Sequence, residues 1–392
     1  MLSIKKILEK YSLKQLALYF LKLGYSGFGG PVALVNYMHR DLVEDRKWIS
    51  EDEYKEGLAL SQLAPGPMAA QLSIYLGYVH YGIIGATLCG VLFVLPSFIM
   101  VLMLGIAYKL YGGLSWMQAV FYGVGASVIG IILLSSYKLT TKSIGKLNLE
   151  SFQKNWLLWL FYGIGILITV ITETESLMLF IATGLIYMLV KAPPVWITRP
   201  KNASVFVVGF IGFWTYEAGT LTKIAWFFTK AGAFVFGSGL AIVPFLHSGV
   251  VAEYHWLTEK QFVDAVAVAM ITPGPVVITV AFIGYLVNGF AGACVAAIAT
   301  FLPCYLFTIL FAPYFKKYGN NQSIKAFVDG ITASVIGSLV GAVFIIGTRS
   351  ITDITTVIIA VLAVLALLYI KNCKEPYIIL ISAIAGLLIK MI

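Results

Sequence analysis

Apolar residues in this chain fall into long blocks separated by short polar stretches, and several blocks reach the roughly 20 residues that cross a hydrocarbon core of about 30 Å. Strict alternation of apolar and polar positions, the mark of barrel strands, is missing, so the crossings read as helices. The pattern predicts helical segments at 14–38, 53–80, 82–109, 115–138, 155–172 and 176–191 in the first half. In the second half it predicts counterparts at 222–246, 261–287, 289–315, 322–346, 354–371 and 376–391, six in each half. One further apolar run, Ala203 to Tyr216, lies between the halves, flanked by Arg199 and Lys201 on one side and Glu217 on the other. It is short for a span.

The first two segments of each half contain helix breakers, and the breakers recur. Phe28-Gly29-Gly30-Pro31 followed by Pro65-Gly66-Pro67 returns as Phe236-Gly237-Ser238-Gly239 followed by Pro273-Gly274-Pro275, at a constant offset of 208. His39 then falls on His247, Trp48 on Trp256, Glu51 on Glu259 and Glu56 on Asp264. After Pro-Gly-Pro one residue is lost. The resulting offset of 207 pairs Gly77 with Gly284, Gly82 with Gly289, Gly85 with Gly292, Pro96 with Pro303, and Ala126 to Gly130 with an identical run at Ala333 to Gly337. The expected organisation is a first repeat at 1–200, a connecting segment at 201–219 and a second repeat at 220–392. Internal repeats that carry breakers inside apolar segments are the signature of a secondary transporter with its site at the repeat interface.

Composition fixes the solvent. Hydrophobic residues make up 60% of the 392 positions and charged residues 11%, against about 25% charged in an ordinary soluble domain. The fold class expected is therefore an all-α polytopic membrane protein. The net charge of +9 comes from lysines and arginines in short loops, the positive-inside pattern, and is no sign of a nucleic-acid partner. Cys89, Cys294, Cys304 and Cys373 lack CxxC or Cys/His spacing, so no disulfide framework, metal site or cofactor is expected. Met1 to Lys14 is lysine-rich but leads into the first segment without a small-residue cleavage site, so no removable signal peptide is expected.

Whether Ala203 to Tyr216 crosses decides the symmetry. A crossing inverts the second half relative to the first; without one the halves are parallel. With a cytoplasmic N-terminus, the first half puts Lys5, Lys6, Lys10, Lys138, Lys142, Lys146, Lys154, Lys191, Arg199 and Lys201 inside and Glu173 and Glu175 outside. A crossing linker also places Lys316, Lys317, Lys325, Lys371 and Lys374 inside and misplaces only Lys223, Arg349 and Lys390. The balance favours an inverted repeat with about thirteen crossings.

Proline within a membrane helix removes a backbone donor and clashes with the preceding turn, so Pro-Gly-Pro should split its segment into half-helices. The free amides and positive dipole end of a half-helix N-terminus suit an anion. Pro67 and Pro275 fit the first turn of the following half-helix. The Gly breaks at Phe28, Gly29 and Gly30 and at Gly237 and Ser238 can do the same in the first helix of each repeat, and in the inverted arrangement all four breaks converge near the midplane. A plain kink, or a close helix crossing allowed by small residues, is the simpler reading of any single break.

Charges inside spans are few and therefore informative. Lys22 and Lys230 are equivalent and lie about six residues before the Gly break, roughly 9 Å along the helix at 1.5 Å per residue. Either presents an ammonium to an anion in the site or snorkels to the interface. Glu56 and Asp264 are candidates for coupling or gating, or helix N-terminal acids complementing the dipole. His39 sits in a charge-dense loop, His39 to Trp48, and recurs as His247, but Asp41, Glu44 and Asp45 become Gly249, Ala252 and Glu253. That favours a solvated loop with an amphipathic interfacial helix over a metal or hydrolytic site. Ser26, Gln62, Gln71, Ser73, Ser238, Thr272 and Thr279 are hydrogen-bond candidates for a substrate or for neighbouring helices.

FGGP near the end of the first segment, Trp48 before an acidic helix, the stretch Leu60 to Pro67, the GYxxxG spacing from Gly77 to Gly82, and Pro96 together resemble the chromate ion transporter (CHR) family. Both halves match, as in the family's long, two-domain form. The resemblance implies export of chromate, a tetrahedral dianion similar to sulfate, driven by an ion gradient across the cell membrane. Ser238-Gly239 replaces Gly30-Pro31 in the second copy, so the halves are unequal. The expectation is a transporter, not an enzyme, whose partners are a small inorganic oxyanion and the bilayer, with homodimer assembly left open. A passive anion channel, or an embedded enzyme using the His39 loop, are the alternatives.

Overall fold

The computed structural model describes residues 11–28, 30–174, 176–194, 219–235, 239–318, 321–370 and 375–391. The run from Ala203 to Tyr216, on which the crossing count depends, lies outside the described residues, as do Gly29, Phe236, Gly237 and Ser238.

All regular structure among the described residues is helical. The first half contains α1 (Leu13–Ser26), α2 (Gly30–His39), α3 (Glu51–Leu63), α4 (Met68–Tyr111), α5 (Ser115–Ser143), α6 (Leu149–Lys154), α7 (Trp156–Thr172) and α8 (Leu177–Lys191). The second contains α9 (Thr220–Ala233), α10 (Val243–His247), α11 (Glu259–Ile271), α12 (Thr279–Tyr318), α13 (Gln322–Ser350), α14 (Ile354–Tyr369) and α15 (Glu375–Met391). Both breakers act as expected. The predicted segment 14–38 is divided into α1 and α2, and Pro-Gly-Pro ends α3 and α11. The predicted boundary at 80–82 is a bend inside α4 at Tyr81 and Gly82, repeated in α12 at Asn288 and Gly289. Four helices, α4, α5, α13 and the stretch Val276–Phe315, are long and apolar enough to cross a membrane by themselves.

Helix starts are written locally. Ser50 and Glu53 form a capping box at α3, and Thr258 and Gln261 form the equivalent box at α11. The charge-dense loop is more ordered than a solvated linker. Arg40–Asp45 forms a π-helical turn after α2, Ser248–Glu253 forms its counterpart after α10, and Lys47 and His255 take matching left-handed conformations. One difference stands out. The second half has no equivalent of α6, because α13 is followed directly by α14.

The halves are exchanged in space. α7 and α8 from the first half pack on α13, whereas α14 and α15 from the second half pack on α5. Glycines allow the close crossings. A Cβ at Gly123 would lie 1.9 Å from the Ser382 carbonyl oxygen, and one at Gly386 would lie 2.2 Å from that of Ala119. Thr183 and Ser334 share a hydroxyl hydrogen bond of 2.8 Å between α8 and α13. Large apolar side chains such as Ile83, Met103, Ile298, Leu310, Leu362 and Leu380 point outward. An outer surface of that kind is solvated by acyl chains, and this is a multi-pass membrane protein.

Candidate functional site

Each Pro-Gly-Pro break is tied to the break behind the first helix of the other half. The Gly66 amide donates to the Val235 carbonyl at 2.6 Å, and the Gly274 amide donates to the Gly27 carbonyl at 2.8 Å. Gly27 and Val235 are themselves equivalent at the offset of 208. The structure therefore gathers Pro65, Gly66 and Pro67 against one partner strand of backbone, and Pro273, Gly274 and Pro275 against the other. Pro67 and Pro275 are in extended conformation as caps, one step before the first helical turn.

Packing around the two central glycines differs from the open approach that an anion would need. Gly66 has φ of +140° and Gly274 has φ of +95°. A Cβ at Gly274 would meet Ser97 Oγ at 1.9 Å, and one at Gly66 would meet Gln71 Nε2 at 2.8 Å and Cys304 Cβ at 2.9 Å. Protein atoms fill both spaces. Ser97 Oγ donates to the Pro273 carbonyl at 2.7 Å, and Gln71 Nε2 donates to the Pro65 carbonyl at 2.7 Å. Cys304 occupies the position equivalent to Ser97, so one hinge is held by a hydroxyl and the other by thiol packing.

Open space begins three residues beyond Gly27, at Gly30, whose Cβ direction meets nothing within 4 Å. A cavity of about 320 Å³ borders Gly30 there, its wall mainly apolar, with Phe28, Pro31, Leu139 and Met270, but carrying the polar groups of Ser135, Lys138, Thr272 and Glu375. The first turn of α2 borders it through Gly30, Pro31 and Val32, and Val276, in the short 3-10 turn after Pro275, borders it from the other side, so one α-helix N-terminus faces this volume. Lys138 supplies positive charge, Glu375 opposes it, and neither makes an ion pair among the described residues. The two larger cavities, of about 420 and 520 Å³, are walled chiefly by apolar side chains such as Ile74, Phe98 and Phe301 or Leu60, Phe307 and Phe311. A dianion would be stripped of water there with little return.

Other expected site residues sit elsewhere. Lys22 is exposed on α1 and Lys230 lies over the Trp226 ring at 5.6 Å, and neither lines the cavity at Gly30. Asp264 is 2% exposed and accepts a 2.7 Å hydrogen bond from Tyr108 across the halves. Glu56 instead engages Tyr75 of its own half. Phe315 and Phe282 stand at the positions equivalent to Tyr108 and Tyr75, so the first half supplies the tyrosine to the acid of both copies.

The two histidines are structural links between a helix end and the next helix start. His39 Nε2 lies 2.8 Å from Glu51 and Nδ1 lies 3.1 Å from Glu44, while His247 Nε2 lies 2.8 Å from Glu259. Glu259 is held in turn by Arg349, which also binds Glu173. Among the described residues no His, Cys, Asp and Glu group is arranged to hold a metal.

Sequence reasoning missed Lys138 as a lining residue because it made the lysine the last residue of the segment 115–138 and counted it only with the cytoplasmic charges. α5 runs on to Ser143. Ser135, Lys138 and Leu139 stand three and four residues apart, the spacing of one helix face, and that signal was available.

The family model described as "Chromate transporter" matches residues 14–198 and again residues 222–387. A chromate transport protein from Cupriavidus metallidurans is 61% identical over 96% of this chain and 93% of its own length. A probable chromate transport protein from Synechococcus elongatus is 56% identical over 98% of both chains. An uncharacterized transporter from Methanocaldococcus jannaschii is 29% identical over 82% of this chain and 81% of its own. No solved structure matches. With two such matches that together span the paired breaks and both exchanged helix sets, the chain belongs to the chromate transporter family.

Proposed function

We propose that this chain is a secondary active carrier that exports chromate, or a sulfate-like dianion of the same shape, across the cell membrane. The reading has two homologous halves, 1–200 and 220–392, inverted relative to one another, with 201–219 as the thirteenth crossing. The observation that carries it is the reciprocal tie of the breaks, Gly66 to Val235 and Gly274 to Gly27, beside a cavity into whose mainly apolar wall Lys138, Ser135 and Thr272 are set. Helices broken at a repeat interface allow one half to rock against the other around a fixed site, which is alternating access.

Among the described residues no arginine lines the cavity, so none of them offers the anion a guanidinium fork. A single ammonium and helix-end amides hold a dianion without burying it in fixed bidentate bonds, which suits release on the far side. Purified protein in proteoliposomes tests the reading directly, with chromate, sulfate and molybdate fluxes followed under imposed pH and sodium gradients. The expected result is chromate accumulation against its own gradient under at least one imposed ion gradient. Flux that only equilibrates chromate, with single-channel currents, would replace the carrier by a passive channel.

A further inference from the structure

A second polar cluster lies apart from this cavity, at the far end of the α3–α4 hairpin. His80, the last residue before the α4 bend, is 6% exposed, and neither ring nitrogen has a hydrogen-bond partner. Tyr11 is 3% exposed and its hydroxyl is also without a partner. The two rings are 5.7 Å apart, and Trp48 stacks on Tyr11 at 4.8 Å. Tyr81 closes the wall by donating to the Tyr11 carbonyl at 2.7 Å. Glu53 Oε2 lies 3.9 Å from His80 Nε2, and the same oxygen accepts from the Ser50 amide and hydroxyl at 3.1 and 2.7 Å. The other titratable or charged groups nearby are Cys89, which interacts with Tyr11 and Tyr81, and Arg46, 4.6 Å from the Trp48 ring.

Buried imidazole and phenol groups without partners are costly, and proteins rarely retain them without a use. The fold does not demand them. Val287 and Gln261 stand in the second half where His80 and Glu53 stand in the first. Position gives the cluster leverage. α3 runs from Glu53 to Pro-Gly-Pro and α4 returns from it to His80, each about 20 Å long at 1.5 Å per residue. One end of the hairpin is therefore the His80 and Glu53 pair, and the other is the break tied to Val235.

We propose that His80, with Glu53 beside it and Tyr11 over it, binds the proton whose downhill movement drives oxyanion transport. The proposal rests on the carrier reading above and names its coupling ion. A proton arriving from water forms one N–H bond on His80 and turns a 3.9 Å contact into a charge-assisted hydrogen bond with Glu53, drawing the hairpin ends together. Release of that proton to the opposite face breaks the same N–H bond and lets the ends part. The movement is carried along α3 and α4 to the Pro-Gly-Pro break.

Proteoliposomes with wild type and His80→Gln separate the possibilities. Chromate–chromate exchange needs a working carrier but no net proton movement; accumulation driven by a pH gradient needs both. The variant is expected to keep exchange within about twofold and to lose gradient-driven accumulation at least about tenfold. Wild type that exchanges chromate but ignores the pH gradient, or His80→Gln that accumulates like wild type, overturns the proton site. Absence of exchange in wild type overturns the carrier reading instead. Should His80→Gln lose both activities, histidine-labelled NMR of the wild type decides, with the His80 signal assigned by its loss in the variant. Chromate is expected to move the titration midpoint of that signal, and an unmoved midpoint overturns the proposal.

Discussion

Lys138 is the residue on which substrate charge should register. It lines the cavity beside the first turn of α2 and has no carboxylate bound to it among the described residues. Coulomb energy scales with ligand charge, so a loss of about tenfold in apparent affinity for a dianion corresponds to only about threefold for a monoanion. Lys138→Gln is expected to raise the apparent KM for chromate or sulfate by about tenfold and for a monoanion by about threefold, in uptake assays run side by side. Lys22→Gln, which lies outside the lining of that cavity, should change either by less than about twofold. Equal losses for both anions in Lys138→Gln would show that the lysine acts through packing. The sequence made Lys22 conspicuous because it stands inside an apolar block. Lys138, the last residue of its segment, read only as cytoplasmic charge because hydropathy alone cannot tell the last turn of a helix from the turn beyond it.

At the scale of elements, nearly every helix was legible from apolar block length, and both breaks from Gly and Pro. Partnership was not. Nothing in local pattern says that α7 and α8 lie on α13 or that α14 and α15 lie on α5, because pairing depends on complementary surfaces far apart in the chain. The identical runs Ala126 to Gly130 and Ala333 to Gly337 were visible as repeats, and the structure shows such small residues serving as close-contact surface. Gly337 would place a Cβ 2.2 Å from the Tyr162 carbonyl oxygen. Gly386→Leu should therefore separate α15 from α5, while the added hydrophobicity leaves insertion intact. The expected outcome is a protein present in the membrane at near-normal levels whose thermal unfolding in detergent occurs at lower temperature and whose transport is lost. An unchanged unfolding temperature would mean that the contact is dispensable. The π-helical turns at Arg40–Asp45 and Ser248–Glu253 had no local signature beyond their recurrence.

Across the whole molecule, the paired offsets of 208 and 207 made two copies visible before any coordinates, but not which way each faces. The lysine and arginine count argues for opposite orientations, and the placement of the termini follows from it. The N-terminus should be cytoplasmic and the C-terminus external. Fusions of a reporter active only in the cytoplasm to residue 194, before the connecting segment, and to the C-terminus are expected to give signal from the first and none from the second. Strong signal from both would remove the inverted arrangement.

Exchanged helices also put time into assembly. A ribosome adds about 5–20 residues per second, and Thr183 and Ser334, which share a hydrogen bond, are 151 residues apart. Roughly 8–30 s of synthesis therefore separate the two sides of that contact. For that interval α7 and α8 stand in lipid with their glycine-lined faces uncovered, and α5 waits longer still for α14 and α15. A nascent first half thus contains surfaces meant for helices that do not yet exist, open to whatever neighbour the membrane offers, and the chain closes on itself only as its final segments are made.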